Sequence, residues 1–468
     1  MTLKEIEIQN FHCYREAHFQ LADRVNVLIG KNGSGKTSFV KSIKNALSIF
    51  FSQNPSWGYS TIAGGVNDLT VANLDSAEIW HGEDMQPAES VDIKVTASVA
   101  DSNAELPAFP SWSFHKSSAA NAKLQSSFYK DAYLYFRKEY IGNNVPWPLF
   151  AYYSDRYPHI DAKLSQAIQK MIDNDDHLYR AWGYYHWDKD SSCALIWQKR
   201  FMRTYNLQYK RRQSLSRIVD QDSAEAQKCK ADIEKYASET DFVLKYLKKF
   251  TSGQTEGLSD MSNTLQISDL ITDGVSEPYI VAYFADGSRR RWDELPAGYE
   301  RLYNMVFDIA YRSYILNGAS VEPQGVVLID ELDLHLHPSM EQDVLIRFMS
   351  TFEHIQFIVS THSPLVISNT ILGENGKIIL LQHEDGEYGH TYISDKYGAD
   401  YDFILSAIMN TEPRNVKLEQ LKAKYLRLMR RGKDSLAEET LQAIRGLGIT
   451  NERYQRIEED LKKELVET

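Results

Sequence analysis

The sequence predicts an α/β fold, with a mixed sheet built from both ends of the chain, a helical insertion, and a helical C-terminal segment. Three observations support this fold. Short apolar runs typical of buried strands, such as Arg24–Ile29 and Gly325–Ile329, occur far apart in the chain. Residues 160–250 instead carry Ala, Lys, Gln, Leu and Tyr at helical spacing. A glycine-rich segment, residues 30–37, joins a predicted strand to a predicted helix.

The individual elements follow from local patterns. Strands are predicted where apolar residues alternate with polar ones or run continuously, at Leu3–Ile8, Ala17–Leu21, Arg24–Ile29, Val91–Ala97, Pro148–Tyr153, Tyr279–Phe284, Gly325–Ile329, Ile355–Ser360, Ile378–Leu381 and Tyr388–Ile393. Helices are predicted at Ser38–Phe51, Ala297–Leu316 and Pro338–Phe352. Asp286-Gly287 is typical of a hairpin turn. Residues 52–90 and 101–130, rich in Ser, Asn, Ala, Gly and Pro, are predicted to form loops and short elements.

Changes in composition divide the chain into four expected segments. Residues 1–157 form an N-terminal lobe, residues 158–270 the helical insertion, and residues 271–395 a C-terminal lobe. Residues 396–468 form a segment of amphipathic helices rich in Leu, Glu, Lys and Arg.

Composition and charge exclude several classes of protein. The chain has 468 residues, a hydrophobic fraction of 43% and a formal net charge of -12, which disfavours a general nucleic-acid coat. The three cysteines, Cys13, Cys193 and Cys229, form no C-x-x-C pair, which argues against a disulfide scaffold or a zinc ribbon. With no signal peptide and no apolar run long enough to span a membrane, we expect a soluble, cytoplasmic protein without a membrane partner.

The segment around which the chain is organised has the pattern G-x-x-x-x-G-K-[ST]. Its predicted phosphate-binding residues are Gly30, Lys31, Asn32, Gly33, Ser34, Gly35, Lys36 and Thr37. The glycines let backbone N–H groups surround an anion, and the following helix adds the positive end of its dipole. Lys36 can reach the outer phosphates, and the Thr37 hydroxyl can hold Mg²⁺. A plain glycine turn is the alternative, which the match at all fixed positions disfavours.

A second set of candidate residues follows two later strands. Asp330 and Glu331 end a buried strand, where Asp330 would hold Mg²⁺ and Glu331 would orient or deprotonate an attacking water. His362, in Ser360–Pro364, follows the next strand and could contact the terminal phosphate or that water. The alternatives are a solvated strand end and a structural histidine.

A third segment, Leu295–Arg301, opens a predicted helix ahead of the acidic pair. Its small residues and helix N-terminus suit an anion that approaches from outside the subunit, so Leu295, Ala297 and Gly298 are candidate nucleotide contacts. A plain capping turn is the alternative.

Together these motifs, with the Asn10-Phe11 hairpin and Leu334–Pro338, resemble the ABC-type ATPase family in its SMC/RecF/OLD branch. The resemblance covers about residues 1–157 and 270–395 and implies the two lobes of an ATPase head that binds ATP and Mg²⁺ and hydrolyses ATP. It also implies a dimer that encloses two nucleotides. Gly298 and its neighbours would then act on the partner's nucleotide, and Asp333 would lie at the subunit junction.

The chain departs from that family pattern at two places. Pro296 stands where the family has Ser, which removes a hydroxyl and a backbone N–H, so slow turnover is expected. The family's glutamine after the first helix has no clear counterpart. Gln53 is one candidate, and the strand end Tyr153–Arg156 is a substitute.

The overall layout resembles stand-alone ATPases of bacterial phage-defence operons, first the AriA ATPase of PARIS and second the PtuA ATPase of Septu. Pro148–Arg156 and the tail segment Lys396–Asp400 carry this resemblance. It implies a homo-oligomer with shared ATP sites, a separate nuclease or toxin effector from the same operon, and a phage-encoded trigger.

Two other functions remain open at this point. A RecF-like DNA-repair clamp would use Lys199-Arg200 and Lys210–Arg212 to bind DNA, although solvated helix faces explain these clusters more simply and the acidic net charge disfavours DNA. A nuclease would use the acidic cluster of Asp173, Asp175, Asp176 and His177, for which a solvated helix end is the simpler explanation. The aromatic run Trp182–Trp187 is predicted to pack in the core or at an interface rather than to stack on bases.

Overall fold

The structure is a computed structural model. It describes residues 1–52, 69–74, 76–82, 86–99, 106–118, 123–143, 145–156, 166–173, 180–190, 192–252, 266–274, 277–368, 375–384, 386–393, 416–447 and 451–466. The chain divides into two compact units, Met1–Gly398 and Ala399–Thr468.

The strands are β1 (Thr2–Phe11), β2 (Tyr14–Gln20), β3 (Val25–Ile29), β4 (Ser90–Ser98), β5 (Trp112–Ser117), β6 (Leu149–Tyr153), β7 (Ile267–Asp273), β8 (Tyr279–Phe284), β9 (Arg289–Arg291), β10 (Gln324–Ile329), β11 (His354–Ser360), β12 (Gly376–Glu384) and β13 (Glu387–Ile393). The helices are α1 (Lys36–Leu47), α2 (Lys130–Tyr135), α3 (Gln166–Asp173), α4 (Ala194–Arg217), α5 (Ala224–Ser252), α6 (Ala297–Asn317), α7 (Pro338–Glu341), α8 (Val344–Thr351), α9 (Pro364–Ser368), α10 (Val416–Arg430), α11 (Asp434–Arg445) and α12 (Asn451–Val466).

A six-stranded sheet forms the centre of the first unit, in the order β13-β12-β3-β11-β10-β6. All its neighbouring strands are parallel except β12 and β13, so the carboxyl ends of β3, β6, β10 and β11 lie at one edge. β3, β6 and β10 are buried along their whole length, as their mainly apolar sequences predict. The predicted α/β fold with a mixed sheet is confirmed.

Two smaller antiparallel sheets accompany the central one, in the orders β2-β1-β4-β5 and β7-β8-β9. Two strands were not predicted: β5 lies in a segment predicted to be loops, and β7 begins inside the segment predicted to be helical. Both are defined by pairing to a neighbour, such as Val95 with Trp112, rather than by a long local pattern.

The helix predicted at Pro338–Phe352 is two helices, α7 and α8. The break falls at Asp343, whose buried carboxylate lies 3.0 Å from the Arg347 guanidinium. Arg347 also donates to the Phe250 carbonyl at 3.2 Å. These buried polar contacts hold the start of α8 against α5, a tertiary effect that local periodicity does not report.

Helices α4 and α5 of the insertion pack against each other and against α6. The aromatic run predicted to be core is buried, with Tyr184 and Trp187 fully enclosed, and that prediction is confirmed. Arg200, predicted to lie on a solvated face, is instead buried and forms a bidentate pair with Glu239.

The second unit consists, in its described part, of α10, α11 and α12. They pack around an apolar core of their own, formed by Leu418, Tyr425, Ala437, Leu441, Ile444, Tyr454, Ile457 and Leu461. No described helix of either unit combines the length and apolar character that a membrane crossing requires.

Candidate functional site

The phosphate-loop motif lies between β3 and α1, as its sequence context predicts. Gly30 has φ +147°, and a Cβ atom there would lie 2.3 Å from the Leu381 carbonyl oxygen, so only glycine fits. The Lys36 ammonium donates to the carbonyls of Gly30 at 2.8 Å and Lys31 at 3.0 Å. These bonds hold the cation inside the loop, where a bound phosphate would lie.

The parallel sheet brings three predicted site residues to this loop: Asp330, the predicted metal ligand, and Glu331 and His362, which are predicted to be catalytic together with Lys36. Asp330 and Glu331 follow β10, and His362 follows β11, the strand next to it. A cleft of about 340 Å³ is lined by Cys13, Asn32, Gly33, Gly35, Lys36, Thr37, Ser38, Asp330, Glu331 and His362. Residues separated by about 300 positions in sequence therefore share one cavity.

Burial and neighbouring charges shift the titration of the groups in this cleft. Burial raises the pKa of Glu331, and the nearby carboxylates of Asp330 and Asp155 raise it further. Burial lowers the pKa of His362, and the Lys36 charge adds to that effect against the opposing Asp333 carboxylate, which favours the neutral imidazole. Burial also lowers the pKa of Lys36, against the opposing influence of Asp330. The cleft thus contains a carboxylate, that of Glu331, whose pKa is raised, and an imidazole, that of His362, whose pKa is lowered.

Two hydroxyls at the end of β11 contact the acidic residues. Ser360 Oγ donates to Asp330 Oδ1 at 2.5 Å and accepts from the Glu331 amide at 2.8 Å. Thr361 Oγ1 donates to Asp333 Oδ1 at 2.5 Å. Neither hydroxyl was predicted from the sequence to have a role in the site. Their place directly before His362 was the signal that could have identified them.

The segment predicted to act on a partner's nucleotide does not line the cleft of its own chain. Pro296 and Ala297 are exposed at the start of α6, whereas Leu295 and Gly298 are buried. A Cβ atom on Gly298 would lie 2.7 Å from the His335 carbonyl oxygen, so α6 packs closely against the loop after β10. The nucleotide contacts proposed for Leu295, Ala297 and Gly298 remain predictions.

The structure also locates the other residues that the sequence analysis considered. Asp155 follows β6, in the strand end proposed to replace the glutamine of the family, and its charge helps to raise the pKa of Glu331. Gln53, the other candidate, lies outside the described residues. Asp173 is exposed and lies 3.6 Å from Arg203, and the rest of its predicted cluster lies outside the described residues. Among the residues that the structure describes, no group of three His, Cys, Asp or Glu side chains is arranged to hold a metal.

The donor set of the cleft fits Mg²⁺ together with a nucleotide phosphate. The Thr37 hydroxyl and the Asp330 carboxylate line the same cavity, and both are hard oxygen donors of the kind that Mg²⁺ prefers. Two protein ligands leave room for water and phosphate oxygens, as is usual for this ion.

Comparisons with known proteins point to ATPases. The chain is 25% identical over 473 residues to the retron Vc95 probable ATPase of Vibrio cholerae serotype O1 biovar El Tor, covering 93% of this chain and 84% of that protein. It is 27% identical over 177 residues to the Septu protein PtuA of Bacillus mycoides, covering 36% of this chain and 23% of that protein. The resemblance to PtuA is thus confirmed, and the retron ATPase is a relative that the sequence analysis did not name.

The solved Smc head domain from Pyrococcus furiosus, bound to the C-terminal domain of ScpA, is a structural neighbour with a TM-score of 0.42 and 15% identity. The alignment covers 84% of this chain and 96% of that one. A family model, described as an AAA ATPase domain, matches residues 1–367. The chain therefore belongs to the AAA ATPase domain family.

Proposed function

We propose that this protein is the ATP-binding and ATP-hydrolysing component of a bacterial phage-defence system. We infer the ATPase activity from one observation, the cleft that Lys36 shares with Asp330, Glu331 and His362. The retron and Septu names of its relatives support the role in defence. In this proposal the protein assembles through shared ATP sites and controls a separate nuclease or toxin effector in response to a phage-encoded trigger.

Each residue of the cleft has a distinct part in the proposed reaction. The loop amides and Lys36 bind the phosphates. Thr37 and Asp330 would hold Mg²⁺, which would neutralise charge on the phosphate oxygens. Glu331 accepts a proton from the attacking water, a task that its raised pKa favours. Neutral His362 hydrogen-bonds the water or the terminal phosphate.

Two substitutions test these assignments. Glu331→Gln should retain ATP and block hydrolysis, because the metal ligands remain and the base is lost. Lys36→Ala should lose nucleotide affinity instead, because the phosphates lose their cation. Nucleotide binding by fluorescence and phosphate release should be measured on both variants. Hydrolysis at the wild-type rate by both variants would show that the cleft is not the active site.

Control of a separate effector requires its own test. The gene should be expressed together with its neighbours, and the tagged ATPase purified. A neighbouring gene product that co-purifies, and host protection that Lys36→Ala abolishes, are the expected results. A protein that binds no neighbouring product and protects no host would contradict the role in defence while leaving the ATPase proposal intact.

A further inference from the structure

One hydroxyl, that of Ser360, contacts both acidic residues of the cleft. Ser360 is the last residue of β11 and is 0% exposed. Its Oγ donates to Asp330 Oδ1 at 2.5 Å and accepts from the Glu331 amide at 2.8 Å. A single side chain therefore orients the carboxylate assigned to Mg²⁺ and the backbone of the residue assigned to the water.

The second of these bonds supports an unusual backbone conformation. Glu331 has φ +54°, in the left-handed region that residues other than glycine rarely adopt. Such conformations persist only where the surrounding structure holds them. The bond from the Glu331 amide to Ser360 Oγ helps to hold this turn, together with the bond from the Leu332 amide to the Ser360 carbonyl at 2.9 Å. It therefore contributes to the direction in which the Glu331 carboxylate points.

Thr361, the next residue, makes the equivalent contact to the loop after β10. Its Oγ1 donates to Asp333 Oδ1 at 2.5 Å, and the His362 amide donates to the same oxygen at 3.1 Å. Thr361 Oγ1 also accepts from the Ser363 amide at 3.0 Å. Through these bonds the loop that bears His362 is tied to the loop that bears the acidic residues.

We propose that Ser360 and Thr361 are positioning residues for ATP hydrolysis: Ser360 aligns Asp330 with Glu331, and Thr361 fixes His362 relative to them through Asp333. This inference rests on the proposed ATPase activity. Neither hydroxyl lines the cleft itself, and both act through side chains that do, so their loss should slow the chemical step and leave phosphate binding by the loop unchanged.

Ser360→Ala is the first test, and the chain offers a matched control. Ser313 on α6 is also 0% exposed, and its hydroxyl has no partner among the described residues. Ser360→Ala should lower kcat about 10- to 100-fold, the usual effect of removing a group that orients a metal ligand. ATP affinity measured in EDTA should stay within about 2-fold of wild type, since Ser360 does not touch the loop. Ser313→Ala should keep the wild-type kcat.

Hydrogen exchange gives a readout that is independent of turnover. In Ser360→Ala the Glu331 amide loses its acceptor, so it should exchange faster than in the wild type and in Ser313→Ala. This measurement uses the full chain without nucleotide. An unchanged exchange rate at Glu331, or an unchanged kcat, would overturn the assignment of Ser360.

Thr361→Val removes the second hydroxyl while keeping the shape of the side chain, and Thr361→Ser restores it. Thr351→Val is the control, because Thr351 is 1% exposed and its hydroxyl has no partner among the described residues. We expect kcat to fall about 10-fold in Thr361→Val and to recover in Thr361→Ser. Equal losses in Thr361→Val, Thr361→Ser and Thr351→Val would indicate packing alone and overturn the role of Thr361.

Different results would contradict the proposed ATPase activity and the positioning roles of Ser360 and Thr361. If the wild type hydrolyses no ATP, the proposed function fails, and faster exchange of the Glu331 amide in Ser360→Ala would still support the positioning contact. If the wild type and both control variants hydrolyse ATP, and Ser360→Ala and Thr361→Val do so equally fast, only the positioning roles fail.

Discussion

Gly298, a predicted nucleotide contact, also has a packing role. It lies in the first turn of α6, where the His335 carbonyl approaches the position that a Cβ atom would occupy. The close approach joins α6 to the loop after β10, which begins with the acidic pair. Any side chain at this position would have to move one of them.

Gly298→Ala should therefore destabilise the protein by about 1–3 kcal/mol, the usual cost of overpacking a tight site. Urea denaturation measures this cost. Gly389→Ala is the control, because a Cβ atom on Gly389 in β13 would meet nothing within 4 Å. Equal stability of the two variants would show that the contact with His335 relaxes without cost.

At the scale of elements, a buried ion pair connects the two long helices of the insertion. Arg200 on α4 and Glu239 on α5 form two bonds of 2.8 Å, and Thr204 donates to Glu239 at 3.0 Å. Tyr311 on α6 also donates to Glu239, at 3.3 Å. The Glu239 carboxylate therefore joins three helices, and Arg200 is unavailable for binding a nucleic acid.

Glu239→Leu should cost about 3–5 kcal/mol of the free energy of unfolding, because the buried Arg200 charge loses its carboxylate and keeps only uncharged partners such as the Ile172 carbonyl. The double variant Arg200→Met, Glu239→Leu should recover much of that loss. As a control, Glu353→Gln removes one side of the exposed Lys249–Glu353 pair and should cost at most about 1 kcal/mol. A double variant as unstable as Glu239→Leu alone would contradict this account.

At the scale of the whole molecule, the first prediction concerns self-association. Ala297 is exposed at the start of α6, the surface proposed to face a partner's nucleotide. In a Glu331→Gln background, ATP should drive dimer formation, and adding Ala297→Glu should prevent it through repulsion of the phosphates. Light scattering after size exclusion measures the mass, and Ala443→Glu on α11, also exposed, is the control.

ATP binding by the Ala297→Glu monomer should be retained, because its own cleft does not include α6. A dimer that persists in this variant, or one that forms equally well without ATP, would contradict the shared sites.

The second whole-molecule prediction concerns DNA. The net charge of -12 disfavours binding of a polyanion such as DNA, and the burial of Arg200 removes one of the basic residues that the alternative DNA clamp would use. We expect weak binding of a duplex at physiological salt, measured by fluorescence anisotropy with and without ATP. Tight, ATP-dependent binding that falls steeply with salt, and that Lys210→Glu with Arg212→Glu abolishes, would instead favour the DNA-repair clamp.

Much of the fold could be predicted from sequence because the central strands are short, mainly apolar runs, a local pattern typical of buried strands. β3, β6, β10 and β11 are largely buried on both faces of the sheet, and such strands are mainly apolar. The buried polar residues Asn26 and Gln356 form hydrogen bonds to backbone groups. β5 and β7 have weaker patterns and exist through pairing, so local reasoning missed them. The break between α7 and α8 was missed for a similar reason, since it depends on the contact of Arg347 with Phe250 of α5.

The sequence by itself determined the chemistry of the candidate site, because a glycine loop, a lysine, and carboxylates at a strand end are local patterns. Only the tertiary structure decided that these groups share one cleft, since parallel pairing of β10 with β11 and of β11 with β3 places their carboxyl ends side by side. It also decided which polar groups are buried: Ser360 lies close to His362 in the sequence and Arg200 lies in a basic cluster, but their roles arise from Asp330 and Glu239, which lie far away in the chain.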